Sequence, residues 1–203
     1  MKKISCSFLI AILFLSACKE QKKLPYFGER EIDRGDTLYH QIQPFYFTNQ
    51  DGRGLTEQSY KDTVYIADFF FTTCPGICPV MTSELTRVQQ HILDHNLPIR
   101  ILSHTVDPET DQLEVLKAYA NKNGANFKVW NFVRGSKSAI YQQALSYLVV
   151  AQEDTTAEIP FVHSDKLILI DRQGHIRGMY SGIDPDEVNT LIKDMEILLK
   201  DEQ

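Results

Sequence analysis

Hydrophobic and polar positions follow one another in blocks along this 203-residue chain, and the blocks predict strands and helices in turn. After a short β-like stretch at 45–47, residues 63–71 form a run of β-branched and aromatic residues, which is typical of a strand buried on both faces. In the segment that follows, apolar residues recur at helical spacing, at Met81, Leu85, Val88, Ile92 and Leu93. The pattern therefore predicts a central strand that turns directly into a helix.

The same alternation continues to the carboxyl end of the chain. It predicts, in order, a strand at 99–106, a helix at about 109–122, a strand at 128–133, a helix at about 137–149, a hairpin of strands at 166–171 and 175–180, and a helix at about 185–200. Asp107 and Ser136 stand where helix N-caps are expected, and Asn123-Gly124 is a plausible helix stop. Parallel βαβ units, then a hairpin and a closing helix, predict a thioredoxin-like α/β fold: a mixed central sheet flanked by helices, with additions at its amino-terminal side.

The first residues have the pattern of a bacterial lipoprotein signal peptide. Two lysines precede an apolar run at 8–15, which is too short for the roughly 20 residues that span a bilayer, and the run ends in Leu-Ser-Ala-Cys at 15–18. This ending resembles a lipobox, which implies cleavage before Cys18 and two acyl chains on it. We therefore expect a signal peptide at 1–17, a lipidated amino terminus and flexible tether at 18–43, and a folded domain at 44–203.

Composition and charge narrow the class of partner. With 43% hydrophobic and 24% charged residues the chain suits one globular domain. Cleavage of the signal peptide takes the basic residues from 21 to 19 against 27 acidic ones, so the mature net charge is −8. This acidic balance argues against nucleic acid as a partner.

The predicted domain contains two cysteines, Cys74 and Cys78, at the turn from the central strand into the first helix. Such a pair can be a structural disulfide, a redox pair or a metal site. A helix amino terminus favours thiolate over thiol, so the spacing predicts lowered cysteine pKa values. A disulfide across so short a loop would remove little chain entropy. A redox or metal site is therefore the preferred interpretation.

Three stretches around these residues resemble the Sco/SenC family of copper-handling assembly proteins. They are Phe-Phe-Phe-Thr-Thr-Cys-Pro-Gly-Ile-Cys-Pro-Val-Met at 69–81, Leu-Ser-His-Thr-Val-Asp-Pro-Glu-Thr-Asp at 102–111 and Val-His-Ser-Asp at 162–165. The resemblance implies copper, as Cu(I) or also Cu(II), bound by Cys74, Cys78 and His163. It further implies delivery to the binuclear copper centre of a cytochrome c oxidase subunit or to another cuproprotein. Soft thiolates do select Cu(I), and imidazole is a suitable third ligand.

The chain departs from the family pattern at two positions. Gly76 stands where an Asp is usual in the cysteine loop, and Thr110 where an Arg is usual after Asp-Pro-Glu. Neither departure removes a ligand. The loss of a loop carboxylate removes one negative charge beside the metal, which bears on Cu(II) binding.

The remaining histidines are weaker candidates. His163 on its own would suit a surface position as well as a ligand, and Asp165 beside it could orient its imidazole. His91 and His95 share one face of the predicted helix, but no third ligand is apparent nearby, so we expect both to face solvent. His104 is either a core histidine with a hydrogen-bond partner or a candidate neighbour of the site, because open α/β sheets place sites at the carboxyl ends of their strands.

Three functions remain open on these grounds. The three are a copper carrier for oxidase assembly, a thiol-disulfide reductase that keeps a cuproprotein's cysteines reduced, and a peroxidase-like enzyme. Cys74 and Cys78 would be catalytic only in the redox reading. The peroxidase reading is weakest, since no Pro-x-x-x-Thr-x-x-Cys run is present. For the carrier we expect a lipid-anchored place in the cell envelope, on the periplasmic face of the inner membrane.

Overall fold

The centre of the computed structural model, which describes residues 23–153 and 161–201, is a seven-stranded mixed sheet. The strands are β1 (Arg30–Asp33), β2 (Asp36–Tyr39), β3 (Tyr46–Asn49), β4 (Gly54–Thr56), β5 (Val64–Phe70), β6 (Ile99–Thr105), β7 (Trp130–Arg134), β8 (Ala151–Glu153), β9 (Phe161–His163), β10 (Lys166–Ile170) and β11 (Ile176–Ser181). The helices are α1 (Cys78–Asp94), α2 (Leu113–Lys122), α3 (Lys137–Ser146) and α4 (Pro185–Asp201), with a short 3-10 helix at Glu57–Tyr60.

The strand order across the sheet is β11-β10-β5-β6-β7-β3-β4. β5, β6 and β7 are parallel to one another. The outer pairs are antiparallel: β5 with β10 and β10 with β11 on one side, and β7 with β3 and β3 with β4 on the other. Two small hairpins, β1 with β2 and β8 with β9, lie outside this sheet. The architecture confirms the predicted thioredoxin-like fold.

Strand β5 is buried along its whole length, as its apolar run predicts. The helix that follows it turns Met81, Leu85 and Val88 into the core, at the predicted helical spacing. Leu93 differs, because it lies off this face and is 38% exposed. The carboxyl ends of β5 and β6 are adjacent in the sheet, so the loops that follow them meet at one edge.

The second helix begins later than its pattern predicts. It starts at Leu113 with Gln112 at the N-cap, so Asp107 is not the cap of this helix. Asp107 instead accepts a hydrogen bond from the Thr110 backbone N–H at 3.2 Å, which closes a turn between β6 and α2. Ser136 is confirmed as an N-cap, since its hydroxyl accepts from the Ala139 N–H.

The structure also differs from the predicted tether over residues 24–43. Leu24 is only 4% exposed, and the Arg177 guanidinium donates to the carbonyls of Leu24 at 2.8 Å and Pro25 at 3.1 Å. The hairpin of β1 and β2 follows. The start of this segment packs against the domain because its backbone carbonyls accept hydrogen bonds from a buried arginine, whereas β1 and most of β2 are exposed. Polar composition does not reveal the arginine contact.

The predicted signal peptide and the lipidated Cys18 lie outside the described residues. Within the part of the chain that the structure describes, no helix combines the length and the apolar character needed to cross a bilayer.

Candidate metal centre

The three side chains singled out by the sequence converge at the edge where β5 ends. The ligand atoms of Cys74, Cys78 and His163 all lie within 4.8 Å of one another, and this is the one such group among the described residues. Cys74 and Cys78 follow β5, whereas His163 ends β9, far away in the sequence. The fold thus assembles a site from two separate segments.

The two cysteines differ in their surroundings. Cys78 is the first residue of α1 and is only 1% exposed, whereas Cys74 lies in the preceding loop and is partly exposed. Both are free thiols. The site therefore has one sulfur inside the core and one that incoming groups can reach.

Burial raises the pKa of the Cys78 thiol, contrary to the lowering expected from its place at a helix start. The Phe71 backbone beside this sulfur opposes the rise in pKa, while Cys74 and Asp68 add to it. The sequence-based prediction was wrong for Cys78 because desolvation of the buried sulfur has the largest influence on its pKa. A bound cation would reverse the balance, since coordination favours the thiolate.

His163 presents one ring nitrogen to the cysteines. Its Nδ1 lies 3.0 Å from the Ser164 carbonyl oxygen, which can only accept, so Nδ1 carries the proton. The lone pair is then on Nε2, which lies 3.0 Å from Cys78 Sγ. Burial lowers the pKa of His163, so the imidazole is neutral at pH 7, the form that binds metal.

Asp165 does not orient this imidazole. Its carboxylate accepts from the Ser181 hydroxyl at 2.6 Å and lies 3.6 Å from Lys166 Nζ. The orienting acceptor is the Ser164 backbone carbonyl, which side-chain identity does not reveal.

The other histidines lie elsewhere. His104 is fully buried against Phe69, and its Nδ1 hydrogen-bonds to the Asp68 carbonyl at 3.1 Å; burial lowers its pKa to about 4. It is a core residue with no contact to a candidate ligand. His95 is exposed as expected, but His91 is partly buried and lies 3.0 Å from Glu196 on α4.

Gly76 lies in open space. A Cβ atom at this position would meet no other atom within 4 Å. The loop therefore has room for the Asp that is usual at this position, and steric crowding does not explain the glycine.

Asp68 is a buried carboxyl on β5 that adds to the negative potential at Cys78. The Ser103 hydroxyl donates to it, and burial raises its pKa from 3.8 to about 7. The folded chain thus holds a proton at this group through a pH range in which the unfolded chain has lost it. Unfolding free energy should therefore fall as pH rises between these values, by about 1.4 kcal/mol per pH unit from this group.

We expect Asp68→Asn to flatten this pH dependence, because the amide cannot ionise. Urea denaturation at pH 5 and pH 8 measures the effect, with Asp36→Asn on the exposed β2 as the matched control. The same pH slope in wild type and Asp68→Asn would contradict the assignment.

The donor set suits copper. Two sulfurs and one neutral imidazole nitrogen are the ligands that Cu(I) prefers, and three ligands leave room for exchange. Zinc would ordinarily take a fourth ligand. Fold and site together define a thioredoxin-like domain with a thiol-imidazole site for a soft metal.

Comparison with known proteins identifies the family. A family model described as SCO1/SenC matches residues 35–200. The SCO1 protein homolog of Bacillus subtilis is 32% identical over 188 residues, which cover 92% of each chain. The chain therefore belongs to the SCO1/SenC family.

Solved structures agree with this assignment. A SCO1/SenC family lipoprotein from Bacillus anthracis matches with a TM-score of 0.73 and 30% identity, over 78% of this chain and 95% of that one. BsSco, whose structure is described as revealing a disulfide switch in a member of the Sco family of cytochrome c oxidase assembly proteins, matches with a TM-score of 0.70 and 33% identity, over 77% and 92%.

Proposed function

We propose that this protein binds copper as Cu(I) through Cys74, Cys78 and His163 and delivers it to the binuclear copper centre of cytochrome c oxidase during assembly. The observation that carries the proposal is the convergence of two free thiols and one imidazole within 4.8 Å. Membership of a family with oxidase assembly proteins supports the choice of partner.

The residues have distinct roles in this proposal. Cys78 and His163 form the buried side of the site, and the Ser164 carbonyl keeps Nε2 free to bind metal. Cys74 is the accessible ligand, so a thiol of the receiving protein can replace it first. Copper is cargo here, and its transfer is a ligand exchange without net redox change.

We further propose that Cys18 carries the lipid anchor and holds the domain at the periplasmic face of the inner membrane. The lipobox-like stretch Leu-Ser-Ala-Cys at 15–18 supports this, and the similar Bacillus anthracis protein is described as a lipoprotein. Metabolic labelling with a radioactive fatty acid tests it: wild type should incorporate label and Cys18→Ala should not. Equal incorporation would refute the assignment.

Titration of the reduced full chain with Cu(I) tests the carrier function. We expect about one Cu(I) per chain, and transfer to an apo oxidase fragment that carries the binuclear copper ligands. The double variant Cys74→Ser/Cys78→Ser retains Cys6 and Cys18 and controls for their thiols. Equal copper binding by this variant would refute the proposed site.

A second function is favoured by the contrast between the two thiols. A partly exposed Cys74 and a buried Cys78 suit an attacking and a resolving thiol, which would reduce a partner's disulfide with two electrons while forming their own. Stoichiometric reduction of an oxidised oxidase-derived peptide tests this. Undiminished reduction by His163→Ala would favour the reductase, and failure of wild type to reduce the peptide would exclude it.

A further inference from the structure

Phe71, the residue after β5, contacts all three candidate ligand residues. Its backbone lies beside Cys78 Sγ, and its carbonyl accepts from the Cys74 N–H at 3.2 Å. Its ring packs edge-on against His163, with ring centroids 5.7 Å apart. The position of Phe71 therefore affects every ligand of the site.

The next residue, Thr72, is held by a carboxylate outside the site. Its backbone N–H donates to Asp111 Oδ2 at 3.1 Å and its hydroxyl donates to Asp111 Oδ1. The Thr105 hydroxyl at the end of β6 also donates to Oδ2. Asp111 thus joins the ends of two adjacent parallel strands.

Asp111 is fully buried, and its described partners are hydroxyl and amide groups rather than a cation. Burying a carboxylate costs free energy unless hydrogen-bond donors satisfy it, so breaking any of these bonds in the folded protein is unfavourable. Two of the three donors belong to Thr72, which fixes both the backbone and the side chain of that residue. Asp111 is itself held, since its N–H donates to the Asp107 carbonyl at 2.9 Å.

We propose that Asp111 is a positioning residue that, through Thr72, holds Phe71 where it aligns Cys74, Cys78 and His163 on one metal ion. The inference rests on the proposed copper-binding function. Asp111 acts through Thr72 and Phe71 and does not touch the metal.

Two variants test the proposal. Asp111→Asn replaces one acceptor oxygen by an amide that donates, and Thr72→Val removes the hydroxyl while keeping the side-chain shape. We expect each to weaken Cu(I) binding by about 10- to 100-fold, the range typical of groups that orient ligands. Thr72→Ser keeps the hydroxyl and should bind like wild type. Competition with a chromophoric Cu(I) chelator measures the affinity.

A second readout needs no metal. Cys78 is shielded in the aligned site, so its alkylation by iodoacetamide in the reduced full chain, followed by mass spectrometry, should be faster in Asp111→Asn and Thr72→Val. Asp194→Asn is the matched control. It makes the same chemical change at a buried carboxylate on α4 that accepts from the Tyr180 hydroxyl, away from the metal site.

The outcomes separate the two proposals. The positioning role is supported if Asp111→Asn and Thr72→Val lose copper affinity and alkylate faster at Cys78, while Asp194→Asn shows neither change. This comparison requires that the thermal stability of Asp194→Asn be no higher than that of the two test variants. Wild-type affinity and alkylation in Thr72→Val would overturn it and leave the proposed function intact. If the wild-type chain itself binds no Cu(I), the proposed function fails, and the alkylation rates alone decide the role of Asp111.

Discussion

Cys78→Ser is expected to lose Cu(I) affinity by more than about 100-fold, beyond the 10- to 100-fold typical of groups that only contact a ligand. The physical reason is the donor atom. A serine hydroxyl is a hard donor that stays protonated, whereas Cu(I) selects soft thiolate sulfur. Cys78 Sγ also lies 3.0 Å from His163 Nε2, so the substitution removes the sulfur that the imidazole faces. Chelator competition on the reduced full chain measures the loss.

Cys74→Ser provides the comparison for this prediction. It removes the same type of ligand from the partly exposed loop, where a serine hydroxyl stays solvated and the fold should be undisturbed. We expect a comparable loss of affinity with a smaller change in melting temperature than for Cys78→Ser, which buries a hydroxyl in the core. Either variant binding Cu(I) as wild type does would refute the two-thiolate site.

The second large effect is expected for His163→Ala. Removing the imidazole leaves two sulfurs and opens the site, so Cu(I) affinity should again fall by more than about 100-fold. The fold should persist, because His163 ends a short hairpin strand outside the main sheet. Copper titration combined with a melting curve distinguishes these effects.

His95→Ala is the matched control for His163→Ala. His95 is exposed at the end of α1, and its Nδ1 bonds to a carbonyl of its own helix at 3.0 Å. This variant should bind copper as wild type does. If His163→Ala does so too, the three-ligand site is refuted and the two cysteines must act without the imidazole.

Helix starts show where sequence reasoning loses precision. The start of α1 follows from the cysteine loop and the apolar spacing behind it. The start of α2 does not follow from the sequence. Asp107 accepts a hydrogen bond that closes a turn, Asp111 accepts one from the end of a strand, and the helix begins only at Leu113. Asp107 suits a helix cap by residue type, but its carboxylate closes a local turn with Thr110, and Asp111 accepts from Thr72 and Thr105 at the ends of β5 and β6.

The site shows the same division. Cys74 and Cys78 follow from their spacing at a strand-to-helix turn, whereas His163 depended on family resemblance. Phe71 and Asp111 were not identified as parts of the site, although both lie within the stretches that carry the resemblance. Their proposed roles depend on a ring contact with His163 and on hydrogen bonds between strand ends, which residue type alone does not specify.

The sequence by itself determined the order of the main strands and the four helices, the thioredoxin-like class and the two candidate sulfur ligands, because local apolar periodicity and spacing encode them. The tertiary structure decided that His163 Nε2 faces Cys78 and that the Ser164 carbonyl orients it. It also decided that burial raises the pKa of Cys78. The physical reason is that desolvation and contacts between distant segments arise only when the chain is packed.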